Sequence, residues 1–399
     1  MYETIALMAV FIFIYSIISG GIERTPINGA VVFTAFGLIF GPMFLGLLDL
    51  RADTEGLRLL AELTLALVLF IDASNADLGV LKKNVNMPRR LLLVGLPMTI
   101  LLGFIFGVVI FEDLALFEIA VLATLLAPTD AALGKAVVSD KSVPPEIRES
   151  LNVESGLNDG ICVPILFVFL ALATGANEAG GSISMLVVKL VLEEIGIGIA
   201  VGVGVTLLGA YFMKYCAKRG WITQTWRQLP VIALAITSFS LAQFIGGSGF
   251  IACFVGGILF GGIAKDLKHG LLLAAEGTGD TMALITWVVF GAAVVGQKIS
   301  YFSWEVLAYA VLSLTVIRML PVFLSLSGSN LRTSEKLFLG WFGPRGLASI
   351  VFAVIVFNHD LPGGNTIVLT AACTIILSIL GHGLSANRLI AALAKNKST

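Results

Sequence analysis

Charge is scarce in this chain. Asp, Glu, Lys and Arg supply 13% of its 399 residues, about half the share usual in soluble domains. With 57% hydrophobic residues, a soluble globule would have too little polar surface to stay dissolved. An excess of either sign is also missing, since 25 Lys and Arg face 26 Asp and Glu. That balance excludes the basic footprint of a nucleic-acid binder, and the hydropathy excludes a disordered chain. Cysteine is limited to Cys162, Cys216, Cys253 and Cys373, far apart and without a CxxC pair. They read as small packing residues, not as metal or redox sites. His269, His359 and His382 form no ligand cluster, and His382, near a helix end, reads as structural. No serine, cysteine or histidine constellation sits beside the carboxylates, so neither an enzyme nor a bound cofactor is expected.

What the chain has in abundance is apolar length. About thirteen runs approach the roughly 20 residues that span a bilayer's hydrocarbon core. They are 4–19, 28–48, 59–75, 91–110, 115–138, 150–174, 183–213, 229–245, 248–264, 271–296, 302–326, 336–357 and 365–390, numbered here as segments 1–13. The expected fold is an all-α membrane protein of about 13 transmembrane helices, one unit over residues 1–399. Segment 1 lacks a basic flank and an A-x-A site, so it is expected to be a retained helix. Gly196, Gly198, Gly202 and Gly204 in segment 7 predict close helix packing.

Orientation follows from the basic residues. With the N-terminus outside, the inner side holds 19 of them: Arg24, Lys82, Lys83, Arg89, Arg90, Lys135, Lys141, Arg148, Lys214, Lys218, Arg219, Arg227, Lys265, Lys268, Arg332, Lys336, Arg388, Lys395 and Lys397. The outer side holds only Arg51, Arg58, Lys189 and Lys298. The positive-inside rule then predicts an outside N-terminus and a cytoplasmic C-terminus.

Two segments are interrupted alike. Segment 5 reads LATLLAPTDAALG and segment 12 reads GWFGPRGLASIVF. Proline removes a backbone donor, and glycine weakens the turn around it. Segments seven apart run in opposite directions, at matching positions of segments 1–6 and 8–13. The pattern predicts inverted repeats of six helices with two broken crossing helices, a pointer to a transporter's midplane site.

A charge deep in a bilayer costs a few kcal/mol or more, so each one needs a reason. In segment 6, NVESGLNDG places Glu154 and Asn158, and Ser155 and Asp159, at i, i+4 spacing on one helical face. Asp159 lies nine residues into that run, about 14 Å along the helix and near the bilayer centre. Asp130, in the broken segment 5, is expected at similar depth. Carboxylates, a hydroxyl and freed carbonyls together suit a hard cation. Arg318 in segment 11 and Arg345 in segment 12 need partners too. Since Asp72, Asp130, Glu154 and Asp159 outnumber them, at least one carboxylate lacks an arginine, and Asp159 is the choice. Such a group trades a proton for a cation. Asp72 either accepts a hydrogen bond from Asn158 or extends toward the cytoplasm. Glu276 and Asp280 read as interfacial.

At these residues the chain resembles a known family. VESGLNDG with APTDAA is similar to the sodium/proton antiporters of the NhaP/NHE branch of the cation/proton antiporter superfamily. GLIFGP in segment 2, IRMLPV around Arg318 and GPRGLASIVF around Arg345 resemble further family motifs, so the likeness spans segments 2 to 12. It implies a homodimer in the cell membrane that exchanges Na⁺ or Li⁺ for H⁺. A core domain (91–174 plus 302–390) would move like an elevator against a dimerisation domain (1–90 plus 229–296), linked by helix 183–213.

By the same resemblance Asp159 binds the cation and the proton, with Glu154, Ser155, Thr129 and Asp130 around the Na⁺. Asn158 holds the crossing helices, Arg318 neutralises Glu154, and Arg345 stabilises the segment 12 break, with Asp130 as its suggested partner. Electrogenic relatives carry Asp-Asp where this chain has Asn158-Asp159, which implies electroneutral 1:1 exchange. The short C-terminus suits a prokaryotic member. A K⁺/H⁺ antiporter of the same fold is the neighbouring alternative. A cation channel is a different class, opposed by the absence of a TVGYG-like filter or an arginine-repeat sensor. A receptor or scaffold would leave the buried stripe of segment 6 unexplained.

Overall fold

The computed structural model describes residues 2–22, 25, 27–48, 55–75, 86–130, 133–134, 137–138, 140–178, 185–223, 225–264 and 268–395. Arg24, Arg51, Lys82, Lys83, Lys135, Lys265 and Lys397, part of the expected charge bias, lie outside the described residues. Among the described residues every regular element is helical. In order they are α1 (Tyr2–Ile22), α2 (Gly29–Phe40), α3 (Glu55–Asn75), α4 (Asn86–Ile110), α5 (Leu116–Leu125), α6 (Pro145–Glu178) and α7 (Met185–Lys218). They continue with α8 (Pro230–Phe244), α9 (Gly249–Ile263), α10 (Lys268–Val289), α11 (Trp304–Ser325), α12 (Thr333–Trp341), α13 (Leu347–Phe357) and α14 (Gly364–Lys395).

Seven of these, α1, α4, α6, α7, α10, α11 and α14, contain a stretch long and apolar enough to cross a membrane. α2, α5, α9 and α13 are shorter apolar helices. Local chemistry sets the ends. Asn28 caps α2 through Val31 N–H at 3.0 Å, and Ser248 and Ser303 cap α9 and α11 in the same way. Glu118 closes the first turn of α5 by accepting Ala115 N–H at 3.0 Å.

Three interruptions carry no signal in the apolar pattern. α11 is broken at Thr315 (φ −111°, ψ −95°), α4 contains a π turn at Leu91–Gly95 and α10 continues into one at Phe290–Val295. α6 starts at Pro145, five residues before its apolar run, and has 34 residues. Asp159 is therefore still close to its middle.

The helices pack in two groups. α3 lies against α9 and α10, with α2 and α8 beside them; α4, α5, α6, α11, α13 and α14 pack together. α7 runs along α8, α9 and α6. α1 is apolar all round and touches the rest through Phe11 and Tyr15 on α2, leaving most of its surface exposed. At the end of α7, Arg219 lies over the Tyr215 and Trp221 rings, 4.6 and 5.2 Å from their centroids. Exposed Trp221 and Trp226 there suit a membrane–water interface.

Candidate ion-binding site

Two chain breaks meet in the second group of helices. α5 stops at Leu125, ahead of Pro128, leaving carbonyls without intrahelical donors. α12 stops at Trp341 and α13 begins at Leu347, so 342–346 is non-helical. The breaks are joined directly, because Asp130 N–H donates to Pro344 O at 2.8 Å.

Each break also serves the helix end of the other. The Arg345 guanidinium donates to the carbonyls of Ala127 and Pro128, the latter at 3.0 Å. Asp130 Oδ2 accepts the Leu347 N–H at 3.0 Å, at the start of α13. A cation thus sits at the C-terminal end of one half-helix and an anion at the N-terminal end of the other, both favourable to the helix dipoles. Ser349 Oγ donates to Leu125 O at 2.9 Å, and Ser378 Oγ of α14 accepts the Arg345 N–H at 2.7 Å. The hydrogen bonds that Arg345 and Asp130 make across the crossing are to main-chain groups of the opposite break. Carbonyls are what a broken helix end leaves unpaired, and an arginine fork reaches two of them.

Gly346 makes the crossing possible, since a Cβ there would fall on the Asp130 carboxylate. Gly346→Ala is expected to lower stability by about 1–3 kcal/mol through overpacking. Thermal unfolding in detergent would read this, and an unchanged midpoint would refute it.

α6 supplies the polar stripe. Glu154 and Arg318, each 1% exposed, form a two-pronged pair at 2.6 and 2.9 Å. Ser155 Oγ donates to Thr129 O at 2.5 Å, and Asn158 Nδ2 donates to Thr129 Oγ1 at 2.7 Å. Asp159 is buried, and among the described residues its Oδ1 has no hydrogen-bond partner; the same is true of Asn158 Oδ1. The acidic groups acting electrostatically on Asp159 are Asp130 and Asp72. A cavity of about 10 Å³, lined by Thr129, Asp130, Gly134, Val137, Ser155, Phe342 and Pro344 among others, adjoins the stripe. That is room for about one water.

The structure therefore gathers Thr129, Asp130, Glu154, Ser155, Asn158, Asp159, Arg318 and Arg345 around one crossing. Asp72 stands at the edge on α3, half-buried, with its backbone against Gly156 of α6. Asn158 makes no hydrogen bond to Asp72 among the described residues; its amide donates instead to Thr129. Glu276 accepts from Asn75 Nδ2 at 2.9 Å, tying α10 to α3. Sequence reasoning missed Glu118, whose buried carboxylate also accepts Gly363 N–H at 2.7 Å. Its place three residues into α5 was the available signal. Ser349 and Ser378 gave none.

Fold and site together define a multi-pass helical membrane protein in which two broken helices cross beside a buried, incompletely satisfied carboxylate. A model of the transmembrane sodium/hydrogen exchanger family matches residues 8–392, and the chain belongs to that family. It is 22% identical over 274 residues to the K(+)/H(+) antiporter NhaP2 of Shewanella sp. (strain ANA-3), covering 68% of this chain and 47% of that protein. The chain thus spans about half the length of the first curated relatives it matches. It is 26% identical over 356 residues to a Na(+)/H(+) antiporter of Schizosaccharomyces pombe, covering 84% of this chain and 74% of that one. The fold is shared with the sodium proton antiporter MjNhaP1 of Methanocaldococcus jannaschii, with a TM-score of 0.78 and 21% identity over 96% of this chain and 99% of that chain.

Proposed function

We propose that the protein is a secondary antiporter that exchanges Na⁺ or Li⁺ for H⁺, electroneutrally, at Asp159. The observation that carries this is the Asp159 Oδ1 atom, buried and without a donor among the described residues, while Glu154 and Asp130 are engaged. Glu154 is neutralised by Arg318, and Asp130 accepts the first N–H of α13. A buried carboxylate oxygen without a donor is costly, and either a proton or a cation relieves that cost. One such group supports a count of one proton per cation. Thr129 and Ser155 line the cavity, and with Asp159 one turn along α6 from Ser155 they would add oxygen ligands to its carboxylate. Glu154 and Asp130 then shape the site through charge and helix capping.

Movement follows the same reading. The second group of helices, 91–174 plus 302–390, would shift against 1–90 plus 229–296, with 183–213 as the link and a homodimer as the working unit. The inner leaflet side would be the one bearing most Lys and Arg, in the cell membrane.

Cation-dependent dequenching of a pH dye in proteoliposomes tests the proposal. Competition at one carboxylate predicts that the apparent KM for Na⁺ falls about tenfold per pH unit in the acid range and levels off above it. Rates should stay constant when membrane potential is clamped at different values, and a potential-dependent rate would overturn electroneutrality. K⁺ is the second reading, favoured by the NhaP2 relatives. Equal dequenching by K⁺ would select it.

A further inference from the structure

His382 of α14 has no part in the exchange described above, yet it is 3% exposed and sits behind the cavity wall. Its ring stacks on Trp341, 5.1 Å between centroids, and lies 6.3 Å from the Phe342 ring. Phe342 and Pro344 line the cavity. The unusual feature is the pair of acceptors. Nδ1 lies 2.8 Å from Ser378 O and Nε2 lies 2.7 Å from Trp341 O. A carbonyl oxygen can only accept. A neutral imidazole has one N–H and one lone pair, so it satisfies one of these contacts and opposes lone pairs at the other. The imidazolium satisfies both.

Ser378 gives the neutral ring a second option. Its hydroxyl is 3.3 Å from Nδ1 and can donate there. The same Oγ accepts the Arg345 N–H at the start of the crossing. The proton on His382 therefore decides whether the Ser378 hydroxyl is turned to the ring or released beside Arg345. Trp341 is the last residue of α12, where a cation is favoured by the helix dipole. The charged groups acting on the ring are Arg345 of the break and Arg318 of α11. Both oppose a third positive charge; the charge of Arg318 is balanced by Glu154, while Arg345, bound to carbonyls, keeps its own. α14 itself places Gly381 and Gly383 beside the histidine.

We infer that His382 is a proton-dependent positioning residue, which sets the 342–345 wall of the ion cavity through Ser378 and the Trp341 carbonyl. The inference rests on the crossing being the ion site, so its test has one arm that needs no transport. Imidazolium quenches a stacked indole more strongly than neutral imidazole does. The fluorescence difference between the wild-type protein and Trp341→Phe, followed in detergent across the range where histidines titrate, should show one protonation step. That step should vanish in His382→Gln. A flat difference curve, or a step that persists in His382→Gln, overturns the inference whatever ion is carried.

The second arm is transport. His382→Gln can still donate to a carbonyl but cannot titrate. Its pH–rate midpoint should move by about one unit, with Ser378→Ala moving it in the same direction. A uniform loss at every pH, or an unshifted profile in both variants, would mean that His382 is structural only. Absence of cation-coupled exchange in the wild type, with the fluorescence step intact, would refute the proposed function and leave the proton-dependent clamp standing.

Discussion

Asp159→Asn is expected to reduce ΔpH-driven Na⁺ uptake by more than about a hundredfold while leaving the protein folded. The two effects separate because Asp159 is a liability to stability. Its Oδ1 is buried without a donor, so the neutral amide removes a costly charge and fits nearly the same volume. The thermal midpoint should stay level or rise. A variant that retains full uptake would remove Asp159 from its role, and one that fails to fold would contradict the account of its surroundings.

The largest stability effect should come from Arg318→Leu. It leaves Glu154 buried and uncompensated, at a cost of about 3–5 kcal/mol. Removing both partners, as in Glu154→Leu with Arg318→Leu, should recover most of that loss, because the desolvation penalties of both ions disappear together. The check is the thermal midpoint of the two single variants and the double variant. If the double variant is as unstable as the sum of the singles, the pair does not act as a unit.

These two expectations differ in how far the sequence alone could have led to them. Thirteen apolar runs and two Pro-Gly interruptions are visible because bilayer thickness imposes length and because proline ends hydrogen bonding. The polar stripe of α6 is visible from i, i+4 spacing. The surplus of acids over intramembrane arginines says that at least one carboxylate lacks an arginine, but not that Arg345 binds carbonyls in place of an acid. The rest depends on backbone groups that exist only once the helices are broken. Asp130 caps Leu347 and Arg345 caps Ala127 and Pro128, so both find main-chain partners that no residue pattern announces. The partners of Glu118 and His382 are also backbone groups, at Gly363 and at Trp341. The Thr315 break has neither proline nor glycine at the position itself. Its threonine returns a hydrogen bond to Val311 O at 2.7 Å, a habit shared by many unbroken helices.

The reciprocal capping of the two breaks bears on how the protein is made. α5 has 10 residues and α13 has 11, about 15 Å each, or half the hydrocarbon core. The carbonyl of Pro128 meets its donor 217 residues later in the chain. Until that interval has been synthesised, the native donor for this helix end does not exist. Its completion must await synthesis of nearly the whole remaining polypeptide. The crossing of the two breaks thus needs both halves of the chain, and a chain truncated after α11 would lack the groups at 344–347 that cap the first break.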